Sequence, residues 1–263
     1  MSKCRADVLL YEKELANSRT HAQELIKSKK AYYMEGNKKV SIDKPSQELA
    51  KDLEIIIEND ETISFVSRAG NKLYEALNEL KAGGFIDSMS FRGHHFLDIG
   101  VSTGGFSDCV LKLGASQVFG IDVGHGQIAK NLLVRPNFRL FEGVNARYLS
   151  SYKEVTSQFP PEGFDYILMD VSFISIKLIL NELSSFLKKN GRLLSLVKPQ
   201  FELGAENLNR SGIVKNIDLY AKLEKDMMEF ARTGQWEIIR YFASKVPGKD
   251  GNKEFFIFLK RGI

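Results

Sequence analysis

The 263-residue sequence lacks the features that mark a secreted or membrane-spanning protein. Its two cysteines, Cys4 and Cys109, are too few for a disulfide framework or a cysteine-based metal site. No apolar run approaches the roughly 18 to 20 residues needed to cross a bilayer, and the opening residues MSKCRAD show no apolar signal-peptide core. The histidines at positions 94, 95 and 125 lack the spacing of a metal site. We therefore expect a cytoplasmic protein with free thiols, no bound metal and no need for a membrane.

The composition is that of an ordinary globular protein with a mild excess of basic residues. Hydrophobic residues make up 43% and charged residues 27% of the chain, and the formal net charge is +4. This charge permits an anionic partner without requiring one. The length suits one large domain, or a large domain joined to a small one.

Residues 1–60 differ in pattern from the rest and predict a small α+β domain. Two amphipathic helices, the second capped at Asn17 and Ser18, are followed by short strands joined by turns. Arginines and lysines crowd the first three quarters of this domain. Residues 61–67 are expected to link it to the second domain, which spans residues 68–263.

The order of residues in the small domain resembles the S4 RNA-binding domain. Arg19, Ala22 and Ile26 fall in order along the second predicted helix, before the strand and turn at 31–36. A lysine at 29 or 30 replaces the usual glycine and costs about 1 kcal/mol if the backbone there is left-handed. A solvated helix face accounts for the basic charge equally well. The resemblance implies RNA binding, with these candidate residues: Arg5, Arg19, Lys27, Lys29, Lys30 and, beyond the linker, Arg68.

Strands and helices alternate through residues 68–263. This alternation predicts an α/β fold, a Rossmann-like, doubly wound and mostly parallel sheet of seven strands with helices on both faces. The last two strands have no helix between them and are expected to form an antiparallel pair. The predicted strands are 96–99, 118–122, 138–142, 165–170, 192–197, 236–242 and 254–260.

The stretch FLDIGVSTGGF at 96–106 ends the first of these strands at a predicted ligand site. Ligands of doubly wound sheets bind beyond the carboxyl ends of the strands, and glycines there let the backbone approach a ligand closely. The stretch does not fit the G-x-G-x-x-G of dinucleotide folds and has no Walker lysine for a triphosphate. Its spacing resembles the first motif of S-adenosylmethionine-dependent methyltransferases.

Two further strand ends fit the same cofactor. Asp122 ends the second strand, where a carboxylate can hold both ribose hydroxyls, and Asn145 follows the third, where adenine is usually bound. Taken alone, the glycine motif is also typical of a plain strand–turn–helix. The candidate residues for S-adenosylmethionine are Asp98, Gly100, Ser102, Thr103, Gly104, Gly105, Phe106, Asp122, Val123, Asn145 and Asp170.

Five segments together resemble the TlyA family, also called haemolysin A, whose members join an S4 domain to a methyltransferase domain of the FtsJ type. Val101 and His125 depart from the alanine and tyrosine that are common there. The resemblance implies 2′-O-methylation of cytidine in ribosomal RNA of the small subunit, the large subunit or both. The implied partners are ribosomal RNA or ribosomal subunits, and the oligomeric state stays open. The segments are 65–73, 98–106, 122–127, 169–175 and 197–202.

The family's Lys-Asp-Lys-Glu tetrad of catalytic residues corresponds, motif by motif, to Lys72, Asp170, Lys198 and Glu254. Independently, Asp170 and Lys198 close parallel strands and Glu254 opens the antiparallel last strand, which places all three at one edge of the sheet. Lys72 reaches them only if the start of its helix faces that edge. A ribose hydroxyl is a poor nucleophile, so Lys198 is expected to act as its base or as the cation beside the alkoxide, held by Asp170. Taken singly, each of the four residues also fits a solvated surface position. Asp170 also fits the position of a helix cap.

Two other functions compete with this hypothesis. The name haemolysin suggests a protein that damages membranes directly, although the sequence shows neither a span nor a signal peptide. The second alternative is an RNA-binding protein that keeps the cofactor pocket and performs no chemistry. Polar, glycine-bearing and basic loops at 207–212 and 247–252 suit mobile loops over the site that hold RNA, and ordinary surface loops account for them equally well.

Overall fold

The computed structural model describes residues 3–13, 15–16, 18–36, 38–57, 63–248 and 251–262, which form two compact units, Met1–Ser64 and Phe65–Ile263. The division lies inside the predicted linker 61–67, of which residues 61 and 62 lie outside the described residues. The second unit begins three residues before the predicted boundary at 68. The reason is local: the Val66 N–H donates to the Asp108 carboxylate at 3.0 Å, and the Phe65 ring packs 5.7 Å from Tyr74.

The described residues of the first unit form two helices and two small antiparallel sheets. Its core is formed by buried residues that include Leu10, Ile26 and Ile42. The three-residue strands β1 and β4 were not predicted, because they are too short for an alternating pattern to be read. The elements are β1 (Lys3–Arg5), α1 (Ala6–Glu12), α2 (Arg19–Lys27), β2 (Ala31–Glu35), β3 (Lys38–Ser41), β4 (Glu48–Ala50) and β5 (Ile55–Ile57), paired as β1-β4 and β3-β2-β5.

Helix α2 begins and ends where its sequence signals lie. Ser18 Oγ accepts a hydrogen bond from the His21 N–H at 3.1 Å, the geometry of an N-cap. Asn17, the other predicted cap residue, lies outside the described residues. After the helix, Lys29 has a φ of 54°, so the left-handed backbone does fall on a lysine. That conformation costs about 1 kcal/mol relative to glycine.

The second unit alternates helices and strands as expected. The predicted helix 175–189 is shorter in the structure, because Leu187 is buried and pairs with Phe164 as the start of a strand. The elements are α3 (Arg68–Ala82), β6 (His95–Ile99), α4 (Gly105–Lys112), β7 (Gln117–Asp122), α5 (Lys130–Leu133), β8 (Phe138–Glu142), α6 (Lys153–Thr156), β9 (Phe164–Met169), α7 (Lys177–Leu183), β10 (Leu187–Val197), α8 (Pro199–Glu202), α9 (Asp218–Thr233), β11 (Trp236–Ala243) and β12 (Phe255–Arg261), with short 3₁₀ turns at Ala146–Ser151, Ser184–Phe186 and Ala205–Asn207.

The seven strands form one sheet in the order β11-β12-β10-β9-β6-β7-β8. Neighbouring strands from β10 to β8 are parallel, while β12 is antiparallel to both β10 and β11. Buried side chains cover both faces of the sheet in two clusters, one around Phe164 and Ile167 and the other around Phe96 and Phe256. The predicted fold class, a mostly parallel seven-stranded α/β sheet with a final antiparallel pair, is confirmed. None of the helices in the described residues is long and apolar enough to cross a membrane.

Candidate active site

Strand register brings three of the four predicted catalytic residues to one edge of the sheet. Val197, the last residue of β10, pairs with Phe255, the first residue of antiparallel β12. Lys198 and Glu254 are each the next residue outward from that pair and therefore lie side by side. Asp170 follows β9, whose last residue, Met169, pairs with both Ser195 and Ile99.

The four residues form two ion pairs that are largely shielded from solvent. Lys72 Nζ lies 2.5 Å from Glu254 Oε2, with side chains 11% and 4% exposed, and Lys198 Nζ lies 2.7 Å from Asp170 Oδ1, with side chains 13% and 17% exposed. Asp170 Oδ1 lacks a hydrogen-bond partner among the described residues, so this second contact is an ion pair without hydrogen-bond geometry. Charged side chains are rarely buried to this degree unless they are paired. The low exposure argues against solvated surface positions.

Lys72 reaches this edge because two helices approach each other closely. A Cβ on Gly70, in the first turn of α3, would lie 2.9 Å from the Gly105 carbonyl oxygen at the start of α4. A Cβ on Gly105 would lie 2.8 Å from the backbone nitrogen of Gly70. The glycine pair thus lets the start of α3 rest on the glycine-rich loop, two residues from Lys72.

The Lys198 ammonium has a second partner that the sequence did not single out as a site residue. It donates a hydrogen bond to Ser172 Oγ at 2.9 Å. The next residue, Phe173, has a φ of 65° and is 91% exposed, with its ring 5.1 Å from that of Phe201. Exposure of a large aromatic side chain on a strained backbone beside the charged residues is a reason to expect contact with a ligand. Both residues lie in the segment 169–175 that carries the family resemblance, but that resemblance assigned a role to Asp170 alone.

Neighbouring protein atoms leave no space for a side chain at two glycines of the first motif, Gly100 and Gly104. A Cβ on Gly100 would lie 2.6 Å from the Asp170 carbonyl oxygen, and one on Gly104 would lie 2.7 Å from Ile128 Cδ1. Both residues have a positive φ, 78° and 89°, which glycine adopts without strain. These glycines therefore let parts of the chain approach one another. Their contact with a cofactor stays a prediction.

Two carboxylates at the strand ends are held in different ways. Asp122 is partly exposed and accepts hydrogen bonds from the Ser102 N–H at 2.7 Å and the Gly124 N–H at 2.8 Å. Asp98 is buried, accepts from Ser107 Oγ at 2.6 Å, and has a second oxygen without a partner among the described residues. Burial, opposed by the Ser107 hydrogen bonds and assisted by the charges of Asp170 and Asp122, raises the pKa of Asp98 to about 7.

These groups fit S-adenosylmethionine on their chemistry. The cofactor carries a sulfonium and an ammonium, and three carboxylates lie at adjacent strand ends. Of these, Asp98 has a buried oxygen with no hydrogen-bond partner in the described part of the chain, whereas Asp170 Oδ1 is ion-paired with Lys198. Asp122 uses one acceptor position on each oxygen and keeps others for a diol.

The remaining predicted cofactor residues are placed unevenly. Val123 is exposed beside Asp122, and Asn145 caps the turn after β8 by accepting from the Arg147 N–H at 3.0 Å. Ser102 has a φ of 46° and donates to Gln127 Oε1 at 3.2 Å, while the Thr103 carbonyl accepts from the Ala129 N–H. The Phe106 ring is buried against Phe256, so its side chain is not available to a ligand.

The predicted RNA-binding residues of the first unit fall into two groups. Arg5 and Arg19 both donate to the buried carboxylate of Asp7, Arg5 through two nitrogens at 3.0 and 3.1 Å and Arg19 at 3.2 Å. Lys27, Lys29 and Lys30 lie at the opposite end of α2. In the second unit Arg68 is exposed and donates to the Pro247 carbonyl at 2.6 Å. The described residues of the chain contain no cluster of three or more His, Cys, Asp or Glu side chains suited to a metal ion.

Comparison with known proteins identifies similar sequences over nearly the whole chain. The sequence profile of the FtsJ-like methyltransferase family matches residues 65–261. A candidate rRNA methyltransferase of Bacillus subtilis, YqxC, is 35% identical over 98% of this chain and 85% of its own. The Mycobacterium tuberculosis protein named 16S/23S rRNA (cytidine-2′-O)-methyltransferase TlyA is 32% identical over 98% of this chain and 90% of its own.

A solved structure is also similar along the full length. It is that of a candidate hemolysin from Streptococcus thermophilus, with a TM-score of 0.68 and 31% sequence identity. The match covers 100% of this chain and 90% of that protein.

Proposed function

The chain belongs to the FtsJ-like methyltransferase family, and on that premise we propose that it methylates the ribose 2′-hydroxyl of cytidine in ribosomal RNA with S-adenosylmethionine. The names of the similar proteins support RNA of the ribosome as the substrate and cytidine as the nucleotide. One observation carries the proposal: two ion pairs, Lys72–Glu254 and Lys198–Asp170, lie shielded at the strand ends where ligands of this fold bind.

We propose that Asp98, Asp122 and Asp170 hold the cofactor. The partly exposed Asp122 suits the ribose diol, while the unpartnered oxygen of Asp98 and the carboxylate of Asp170, which also pairs with Lys198, suit the cationic part. When bound, the cofactor supplies a methyl group on a sulfonium. The adenine position is assigned to the segment of Asn145 after β8.

Lys198 is the residue we assign to the ribose oxygen. Its ammonium can donate three hydrogen bonds; one is directed to Ser172, and the contact with Asp170 is an ion pair. A further donor can face the 2′-oxygen, which releases its proton to water as it takes up the methyl group. A cation held in place stabilises the developing negative charge, because it needs no rearrangement when the charge appears. Lys72 and Glu254 neutralise each other next to this pair.

Phe173 supports a nucleic-acid substrate. Its ring is exposed, lies against Phe201, and follows Ser172 directly. Unstacked bases commonly stack on aromatic side chains, and such stacking contributes about 1 to 3 kcal/mol per base. We propose that the target base stacks on Phe173 while Lys198 contacts its ribose.

The first unit is assigned the role of an S4-like RNA-binding domain. Arg5 and Arg19 are exposed, and their guanidinium groups are oriented by one buried carboxylate, Asp7. Arginines fixed in this way suit phosphate groups, since a planar guanidinium binds two oxygens at once. Work on ribosomal RNA would place the protein in the cytoplasm.

The test is methyl transfer in vitro together with a map of the modification in cells. Purified protein and labelled cofactor are incubated with 16S RNA, 23S RNA and both ribosomal subunits, and the product nucleoside is identified. We expect 2′-O-methylcytidine in at least one substrate, and its loss from cells without the gene. Absence of transfer to all four substrates contradicts the proposal, and prompt leakage of liposomes treated with the protein would favour a membrane-active function.

A further inference from the structure

The segments that carry Asp170 and Lys198 are joined at a second place, away from their ion pair. Glu202 ends α8, the single turn after Lys198. Its carboxylate accepts hydrogen bonds from Ser175 Oγ at 2.6 Å and from the Ile176 N–H at 2.8 Å. Ser175 lies at the far end of the loop that begins at Asp170, just before α7. The carboxylate therefore fastens this loop at the end opposite to the ion pair.

The loop between the two fastening points contains the residues that face the lysine. Ser172 accepts a hydrogen bond from Lys198, and Phe173 has a left-handed backbone that a residue with a Cβ adopts only under constraint. The loop has no regular secondary structure of its own from Asp170 to Ser175. Its shape must therefore be set by its attachments at both ends.

We propose that Glu202 is a positioning residue that fixes the Asp170–Ser175 loop against the segment of Lys198, so that Asp170 and Ser172 orient the lysine ammonium. The inference rests on the proposed function, since it gives Lys198 the role at the ribose oxygen. Glu202 itself has no contact with Lys198 and takes no part in the transfer.

The required property is hydrogen bonding and not charge. Burial raises the pKa of Glu202, although hydrogen bonds from Ser175 and Ile176 oppose this. A protonated carboxyl still offers a carbonyl oxygen to the Ile176 N–H and a hydroxyl that Ser175 Oγ can accept. Glu202→Gln has the same pair of groups, whereas Glu202→Ala removes both and leaves the Ile176 N–H unpaired. The two variants therefore separate loss of the carboxylate charge from loss of the hydrogen bonds.

The experiment compares kinetics of the full chain carrying Glu202→Ala, Glu202→Gln or Ser175→Ala with the wild type. Glu206→Gln is the matched control, because Glu206 is an exposed acid on the next turn whose carboxylate has one 3.3 Å contact, with Asn207. We expect kcat to fall roughly ten- to a hundredfold in Glu202→Ala, since displacing reacting groups by about 1 Å can cost that much. Glu202→Gln should retain most of the activity and bind the cofactor, measured by calorimetry, with the affinity of the wild type.

Wild-type kcat in Glu202→Ala overturns the inference. Equal losses of kcat in the Ala and Gln variants would show that the hydrogen bonds of Glu202 do not position the loop, and would also overturn it. Hydrogen exchange of amides 171–178 decides the matter if the wild type transfers no methyl to RNA, in which case the proposed function has failed separately. Faster exchange in Glu202→Ala but not in Glu202→Gln then supports the fastening, and unchanged exchange in both contradicts it.

Discussion

Lys198 owes its position to two neighbours, Asp170 at 2.7 Å and Ser172 at 2.9 Å, and its proposed role gives a direct prediction. Lys198→Ala should abolish methyl transfer to RNA and leave the dissociation constant of S-adenosylmethionine nearly unchanged. Asp122→Ala is the matched comparison, because its carboxylate is assigned to the cofactor and not to the ribose oxygen. In that variant we expect weaker cofactor binding. Substantial turnover by Lys198→Ala would rule out the assigned role.

The buried carboxyl of Asp98 makes the stability of the protein depend on pH. Its pKa is about 7 in the folded chain, whereas an unfolded aspartate has a value of about 4. Between these values the folded state keeps a proton that the unfolded state has released. The stability contributed by this group is therefore fully present below about pH 4 and is lost as the pH rises through 7.

Asp98→Asn tests this dependence, because an amide does not ionise. The free energy of unfolding of the variant, relative to wild type, should rise by about 1 kcal/mol per pH unit between pH 5 and 7 and then level off. Asp165→Asn is the control. Burial opposes ionisation of Asp165, but hydrogen bonds from Lys188 and the His95 N–H lower its pKa. The free energy of unfolding of Asp165→Asn, relative to wild type, should therefore stay constant between pH 5 and 7. A constant difference for Asp98→Asn as well would contradict the prediction.

At the scale of elements, the contact between α3 and α4 determines where Lys72 lies. A Cβ at Gly105 would come within 2.8 Å of both the Gly70 nitrogen and Ala69 Cβ, and backbone atoms cannot yield as a flexible side chain can. We expect Gly105→Ala to push the helices apart, with a loss of about 1 to 3 kcal/mol of stability from overpacking. The displaced helix should also separate Lys72 from Glu254 and lower kcat.

Gly84→Ala separates this effect from the cost of replacing any glycine. Gly84 has a φ of 72° and no atom within 4 Å of its would-be Cβ, so it should lose only the roughly 1 kcal/mol of backbone strain. Thermal denaturation and transfer kinetics of both variants provide the measurement. Equal effects of the two substitutions on kcat would show that the helix contact does not position Lys72.

At the scale of the whole molecule, the excess of positive charge is small, so its effect on RNA binding depends on where the basic residues lie. The net charge is only +4, but Arg5 and Arg19 are gathered on Asp7 in the first unit. The double variant Arg5→Gln, Arg19→Gln should bind ribosomal RNA more weakly, because two phosphate contacts are lost. The slope of log K against log salt should become shallower by about 1.4 for contacts to single-stranded RNA.

Lys51→Gln controls for the loss of positive charge elsewhere on the first unit, since Lys51 pairs with Glu12 at 3.0 Å. Its salt slope should match that of the wild type, and cofactor affinity should be unchanged in both variants. An unaltered slope for the double variant would remove these arginines from RNA binding.

The sequence alone was sufficient for the fold class and the family, both of which are confirmed, and for the seven strands of the large sheet. These depend on local signals: the apolar runs of the strands, the glycines with Asp98 after β6, and motifs whose residues are close along the chain. The sequence also predicted that Asp170, Lys198 and Glu254 lie at one edge of the sheet, because parallel strands end on the same side and β12 runs in the opposite direction.

Only the tertiary structure decided which groups pair and why the glycines are needed. Ser172, Phe173 and Glu202 lie within family motifs, but the sequence assigned them no role, since their proposed roles come from contacts between two segments that are separate along the chain. The sequence predicted that Gly100 and Gly105 contact a ligand. In the structure Gly100 lies against the carbonyl oxygen of Asp170, just after β9, and Gly105 lies against the start of α3. Such contacts depend on strand register and helix approach, which result from the packing of all side chains at once and leave no periodic signal in the sequence.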